Sequence, residues 1–525
     1  TRLRRRSGFV AAKARGRVRS PIPRNRYGFA GAAPPRPVRP HSCRPDSRRG
    51  FVLLAVLIVI LLASMVALSL MFHLRAEETA AAAGGASDKA WAAAMSGVSE
   101  AMRVAGATPL GALDWQDNAA AFHERLCFDD GSERWFFTVY TLGDPELQEV
   151  RFGLTDEAGK LNVNTATETM FAKLPKMTPY LGQGLLDFLD SDSTPRPEGA
   201  EQEYYDALPK PYALRNGPLA TLDEILLVRG FTPAVFYGED ANLNCQLDPG
   251  ENDGDDQLPP DNKDGKLDCG LRQHLTISSY DPNENNERVR RIDLNDPADV
   301  VPEKDLPADL APYIAALRKN KVEIQHPADL LEAKGKFKND QGQEVELASG
   351  VGKAELAAVL DRFTATPDDR LPGLVNVNTA SAAVLQSLPD IDEALAESIV
   401  AARRNLPTEQ RRTPAWLFEE SLVDADLFKK IVPHLTARGF QFHFQVVGYG
   451  VPSGRFRVLE AIIDLAGPKP TIVYLRDITR LGLPFKIEMP ENDSPVPEQS
   501  APQASRMEGA RTAMSARTTI GRTRG

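Results

Sequence analysis

Residues 48–72 read Arg-Arg-Gly followed by FVLLAVLIVILLASMVALSLMF, a run apolar from Phe51 to Phe72 and closed by His73 and Arg75. As a helix rising ~1.5 Å per residue it spans roughly 33 Å, enough to cross a hydrocarbon core of ~30 Å. The basic flank on its N-terminal side predicts that residues 1–50 stay cytoplasmic and that everything after the helix is exported. A cleavable secretory signal has a shorter apolar region followed by its small-residue site; here the small residue, Gly50, precedes the apolar run. A cut between Gly50 and Phe51 would leave the membrane helix on the mature chain.

The 525 residues exceed what one hydrophobic core usually holds, so several modules are expected. Charge divides sharply along the chain. Residues 1–50 take 15 of the 62 basic side chains and one of the 72 acidic ones, leaving 47 and 71 beyond, a net charge near −24. Such a balance opposes nonspecific adhesion to nucleic acid. The basic leader, 1–50, is Pro- and Arg-rich and begins at Thr1; part of it reads as a mis-called start, and no fold is expected of it. The tail 489–525, rich in Pro, Ser, Ala and Arg, reads as disordered.

Between these ends the periodicity changes character. Residues 73–105 are Ala-rich, and Trp91, Met95, Val98 and Met102 recur at steps of three and four, predicting one apolar stripe on a helix loosened at Gly84-Gly85. RWFFTVYTLG (134–143) and QEVRFGLTDE (148–157) alternate like strands, as do FQFHFQVVGYG (440–450), RFRVLEAIIDLAG (455–467) and TIVYLRDIT (471–479). The two blocks are expected to pair in one antiparallel sheet packed on the helix, with the mostly helical residues between them as an insertion. LNVNTA (161–166), VNVNTA (375–380) and the weaker IDLNDP (292–297) form an internal repeat, each a short strand turning into a helix. Asn164 or Thr165, and Asn378 or Thr379, are the expected N-caps.

The densest constellation of polar groups is EDANLNCQLDPGENDGDDQLPPDNKDGKLDCG (239–270). Asp240, Asn242, Asn244, Asp248 and Glu251 fall at positions 1, 3, 5, 9 and 12 of an EF-hand-like loop with Leu247 at position 8. Hard oxygen donors at this spacing suit Ca²⁺, although Cys245 stands where a turn glycine is expected. Asp261, Asn262, Asp264, Gly265 and Asp268 resemble a second such loop, and Asp253, Asp255 and Asp256 could serve either. Cys245 and Cys269 bracket the acidic stretch, and a bridge between them would close a loop of about 23 residues, worth on the order of 3 kcal/mol in the loop-entropy model. Structural calcium and this disulfide are both expected.

VLQSLPDIDEALAESIVAARR (384–404) follows the helix-hairpin-helix pattern, but Asp390, Ile391 and Asp392 occupy the hairpin where glycines would let phosphate approach. No HExxH, nucleophile elbow, P-loop or dinucleotide fingerprint occurs, and the seven His are scattered, so no catalytic residues are assigned and an enzyme is not expected.

Arg49, Gly50 and Phe51 ahead of the apolar helix resemble the class III signal of type IV pilins and pseudopilins, which a prepilin peptidase cleaves after the glycine and N-methylates. Ala55 stands where most of that family carries Glu, and this absence is typical of the K component of type II secretion. The stretch 185–232, with Asp187, Asp190, Asp192, Gly199-Ala200-Glu201, Tyr205 and Leu222-Asp223-Glu224, resembles the first helical module of that family. The resemblance implies an α+β fold: an N-terminal transmembrane and spine helix with a pilin-like antiparallel sheet, interrupted by a large, mostly α-helical insertion of SAM-like or helix-hairpin-helix-like modules. The implied organisation is a leader to 50, a transmembrane helix 51–72 and the spine with first strands 73–160. A first helical module with the acidic loop fills 161–290, further helical module or modules 291–437, last strands 438–488 and the tail 489–525. It implies a single-pass inner-membrane protein, mostly periplasmic, at the tip of the pseudopilus. Its partners would be the I- and J-type minor pseudopilins, the prepilin peptidase and the inner-membrane assembly platform, with no nucleic acid. Proteins of the family bind calcium in the helical domain, which agrees with the acidic loop. The alternatives are a type IV pilus minor pilin and a membrane-tethered helix-hairpin-helix DNA-binding protein.

Overall fold

The computed structural model describes residues 48–143, 150–244, 246–254, 256, 259–302, 304–338 and 342–485. The leader before residue 48, the tail and Cys245 lie outside these residues. The described residues divide into two units between Glu77 and Glu78.

The long helix α1 runs Arg48–Ala107 without interruption at Gly84-Gly85. From Phe51 onward it is long and apolar enough to cross a membrane, with a window of mean hydropathy 3.2, none of it buried. Within the second unit, α1 packs on a seven-stranded antiparallel sheet. Its strands are β1 (Arg125–Asp129), β2 (Arg134–Leu142), β3 (Val150–Arg151), β4 (Thr155–Asp156), β5 (Gln441–Val451), β6 (Phe456–Asp464) and β7 (Thr471–Asp477). The order is β1-β2-β5-β6-β7, with β3 paired to β2 and β4 paired to β5. The two strand-rich blocks of the sequence are thus joined where β2 meets β5, in the register Val139 opposite Val446 and Phe137 opposite Gly448.

The alternation along β5 splits two cores, as period-two geometry requires. Phe442, Phe444 and Val446 face a core shared with Ala94, Val98, Ala101 and Ala105 of α1. Val447, Tyr449 and Val451 face the other side with Tyr140, Val458 and Ile478. Of the expected stripe, Val98 is buried and Met95 and Met102 pack partly buried against the same core, whereas Trp91 is 37% exposed and its place is taken by the buried Ala90, Ala93, Ala94 and Ala101. The reason is proximity. A Cβ on Gly448 would stand 2.3 Å from the Ala94 nitrogen and 2.4 Å from the Ala90 oxygen, so helix and sheet meet backbone to backbone and only small side chains fit between.

The insertion between β4 and β5 is three copies of one device. Each copy opens with a two-residue strand and closes with another that pairs with it in parallel: Leu161–Asn162 with Leu275–Thr276, Ile292–Asp293 with Phe363–Thr364, and Val375–Asn376 with Leu435–Thr436. In each, the first polar side chain caps the following turn, Asn162 Oδ1 accepting from Asn164 N at 3.0 Å, Asp293 from Asn295 at 2.9 Å and Asn376 from Asn378 at 3.0 Å. The second Asn reaches forward to clamp distant backbone: Asn164 to the Leu219 carbonyl at 3.2 Å, Asn295 to that of Ile324 at 2.9 Å and Asn378 to that of Arg411 at 2.8 Å. The repeat is therefore structural, and IDLNDP is a full member of it. The helix N-caps in the first and third copies are Thr167 and Ser381 rather than the Asn or Thr pairs expected, because the chain first makes the turn in which Ala166 N and Ala380 N donate to the Asn162 and Asn376 carbonyls, and the helices begin only at Glu168 and Ala382. A further antiparallel hairpin, Lys334–Lys338 with Glu344–Ala348, stands in a region expected to be helical.

Candidate functional sites

At the N-terminal junction, Gly50 and Phe51 both lie within α1, and Phe51 is exposed along with the apolar residues that follow.

The acidic loop brings its first ligand set together. Asp240, Asn244 and Glu251 are buried. Asp240 Oδ1 accepts from Asn244 N at 3.0 Å, and Glu251 bridges the loop, its Oε1 accepting from Ala241 N at 3.0 Å and its Oε2 from Asp248 N at 3.1 Å. Asn242 and Asn244 both donate to Asp248 Oδ2, at 2.6 and 2.9 Å. Burial, reinforced by the negative charges of Asp240 and Asp248, pushes the Glu251 carboxyl up to about 7. The second set is spread differently. Asp261 accepts from the backbone of Asp253, Gly254 and Lys263, Asp264 is exposed, and Asp268 is ion-paired with Lys176. Asp268 N also donates to buried Glu239. Cys269 is buried; its expected partner Cys245 lies outside the described residues, as does Asp255.

A second acidic cluster sits in the first module, on residues to which the sequence alone assigns no ligand. Asp190, which follows the helix Pro179–Leu189, and Asp192 and Glu201 place ligand oxygens within 4.8 Å of one another. The signal was the D-x-D spacing followed by Gly199-Ala200-Glu201, obscured because Asp187 and Arg196 also belong to the constellation. Arg196 spans Asp187 and Asp190 at 2.5 and 2.7 Å. Burial and the neighbouring Asp187, Asp190 and Asp192 hold Glu201 above the usual carboxylate range.

The helix-hairpin-helix segment folds as Ala382–Ser387 and Glu393–Ala402. Asp390 adopts a positive φ of 57° at the hairpin, and Asp392 caps the second helix through Leu395 N at 2.8 Å. The hairpin carbonyls are occupied: Lys173 Nζ donates to those of Leu388 and Ile391, at 2.6 and 3.4 Å.

Residues 159–237 match the family described as type II secretion system protein K, first domain, and residues 373–412 match the helix-hairpin-helix motif. No curated protein matches the chain. Among solved structures, the GspK-GspI-GspJ complex from the enterotoxigenic Escherichia coli type 2 secretion system matches at 14% identity with a TM-score of 0.34, covering 77% of this chain and 99% of that one, a likeness too distant to transfer anything. The helical module that opens the insertion, residues 159–237, is thus similar to the first domain of type II secretion system protein K.

Proposed function

We propose that the chain is a minor pseudopilin of the K type, which acts by assembly rather than catalysis. The observation that carries this reading is the family match over 159–237 on a chain whose apolar helix begins at a Gly50-Phe51 junction. Cleavage there and methylation of Phe51 leave a membrane-anchored subunit in the inner membrane with its modules in the periplasm. Ala55 places no carboxylate at membrane depth, where an ionised group costs several kcal/mol unless neutralised. A subunit with none above it has no need of one, so the chain caps the pseudopilus tip, with I- and J-type minor pseudopilins as neighbours, and the three-copy insertion blocks further stacking. Its place at the tip supports protein export across the outer membrane.

In the same reading, Asp240, Asn242, Asn244, Asp248 and Glu251 hold a structural calcium ion, and Cys245 and Cys269 close the acidic loop. Support comes from three acidic groups gathered in one loop, two of them buried, with Glu251 poised near neutrality.

The rival is a nucleic-acid-binding role for residues 373–412. Asp390 and Asp392 speak against it, because they put negative charge and side-chain bulk at the hairpin where backbone N–H groups would meet phosphate, and a DNA titration at low salt tests it directly.

Intact mass and N-terminal sequencing of membrane-extracted chain, made with and without prepilin peptidase, test the main reading. A peptidase-dependent N-methylated Phe51 terminus is the expected result. An uncut chain, or one cut beyond residue 72, would remove it.

A further inference from the structure

We propose that the cavity between the sheet and the first helical module is a binding site for an organic carboxylate that carries its own hydrogen-bond donor, held by Arg151 of β3 and Gln445 of β5.

The cavity measures about 260 Å³ and is lined by Arg151 and Gln445 from the sheet and by Tyr237 and His274 from the module. Small-ligand pockets begin at ~300 Å³, so the space is of the right order for a small organic molecule. Trp115, Leu142 and Leu243 supply the apolar wall that such a molecule's carbon skeleton needs.

The first pointer is a cation without an anion. Arg151 Nη2 donates to the Leu154 carbonyl at 3.0 Å and to Thr155 Oγ1 at 3.3 Å, both neutral, while its Nε is buried with no hydrogen-bond partner. Burial pushes the guanidinium down to about 10 against the pull of Asp117. The other charged groups around the cavity are already engaged. Lys160 pairs with Glu157 at 2.5 Å and Arg272 with Glu460. Asp156 accepts from Asn376, Thr379 and Ala158, and Asp240 accepts from Asn244. Burial and the positive charges of Lys160 and Lys176 push the His274 imidazole down to about 4, and the field that repels a proton there attracts a carboxylate.

The second pointer is an acceptor in the same cavity. Gln445 is 2% exposed, and its Oε1 is buried without a partner. Leaving a buried acceptor unanswered is costly and leaving a buried charge unanswered more so, which is why native structures rarely do either. Water would satisfy Gln445 but not the charge of Arg151, and a bare anion would satisfy Arg151 but not Gln445. A carboxylate with an N–H or O–H of its own answers both. The site uses neither the membrane helix nor an ion in the acidic loop, so it stands or falls separately from the pseudopilin reading.

N-acetylglycine, with one carboxylate and one N–H, is the probe, and N-acetylglycinamide, which lacks the charge, is its control. Saturation-transfer NMR on the full-length chain in detergent micelles compares the two on the parent, Arg151→Met and Gln445→Leu. The parent should bind the acid saturably and the neutral amide roughly tenfold more weakly, the loss expected for one charge-assisted hydrogen bond. Arg151→Met should abolish that preference, whereas Gln445→Leu should weaken both probes and keep it. Gln445→Leu carries the test if Arg151→Met does not fold. N-acetyl-triglycine separates two sources of the same chemistry: its binding through Arg151 assigns the carboxyl end of a chain, and its exclusion assigns a free small molecule. No saturable binding of the acid to the folded parent, equal binding of acid and amide, or unchanged affinity in either folded variant would overturn the proposal.

Discussion

Asn376 donates its side-chain amide to Asp156 at 2.7 Å, joining the opening strand of the third module to β4 of the sheet across 220 residues of sequence. Thr379 Oγ1 adds a second bond to the same carboxylate oxygen at 2.7 Å, and Ala158 N a third to its other oxygen at 3.0 Å. One buried carboxylate therefore seats a repeat module on the seven-stranded sheet. Asn376→Ala removes this donor and also the turn cap on Asn378, and should cost about 2–3 kcal/mol. Chemical denaturation in micelles checks it; a loss below ~0.5 kcal/mol would show that the seat does not depend on Asn376.

The same carboxylate carries a pH signature. Burial raises Asp156 from 3.8 to about 6, against the pull of its hydrogen bonds. With the folded pKa above the unfolded one, the native state binds the extra proton between those values. Stability is then highest below about 4, falls as pH rises through 6 and is lowest above it, by on the order of 3 kcal/mol from this group. Asp156→Asn should flatten that part of the stability profile between pH 4 and 7. Identical slopes in parent and variant would sink the assignment.

Asp281 and Arg438 form a buried ion pair at 2.5 Å, with Thr436 Oγ1 also donating to Asp281 at 2.7 Å. Breaking such a pair from one side strands a buried charge, so Arg438→Met should cost ~3–5 kcal/mol. The double variant Asp281→Leu with Arg438→Met should recover at least half of that loss. Additive losses in the double-mutant cycle would mean the two side chains act separately.

The contact of α1 with the sheet makes a sharper demand. Gly448→Val would push a branched side chain into the backbone of Ala90 and Ala94, with no flexible neighbour to give way. The expected cost exceeds the ~1–3 kcal/mol of ordinary overpacking. Its readout is local: amide exchange at residues 90–105 should accelerate well before that of the insertion. Uniform exchange throughout would mean that the helix does not depend on this approach.

These contacts also show what the sequence could and could not reveal. The sheet strands were legible because β5, β6 and β7 alternate over nine residues or so, and the split sheet followed from matching blocks at both ends of the insertion. The helix stripe was legible at Met95, Val98 and Met102 but not at Trp91, because Gly448, some 350 residues downstream, brings the sheet backbone onto Ala90 and Ala94, a tertiary choice that periodicity does not encode. The N-caps differ because Asn164 and Asn378 lie in a turn that precedes the helices, which start only at Glu168 and Ala382. The parallel strand pairs of two residues each are too short for any pattern to announce. The Asp190, Asp192 and Glu201 cluster is visible only once burial shows which carboxylate oxygens lack partners.

Calcium removal should open the acidic loop in a way that protease reports. Lys263 and Lys266 are exposed within it, while Asp240 and Glu251 at its other end are buried, and burial together with the charges of Asp240 and Asp248 raises the Glu251 carboxyl. An ion held by Asp240, Asp248 and Glu251 offsets their mutual repulsion and ties the loop to its folded form. At a free concentration a hundredfold above the dissociation constant, that linkage is worth about 2.7 kcal/mol against local opening, or roughly a hundredfold slower cleavage. Trypsin should therefore cut after Lys263 and Lys266 quickly in chelator and slowly in calcium. Glu251→Gln should abolish the difference, whereas Glu201→Gln should preserve it. Equal cutting with and without calcium in the parent chain would leave the loop without its ion.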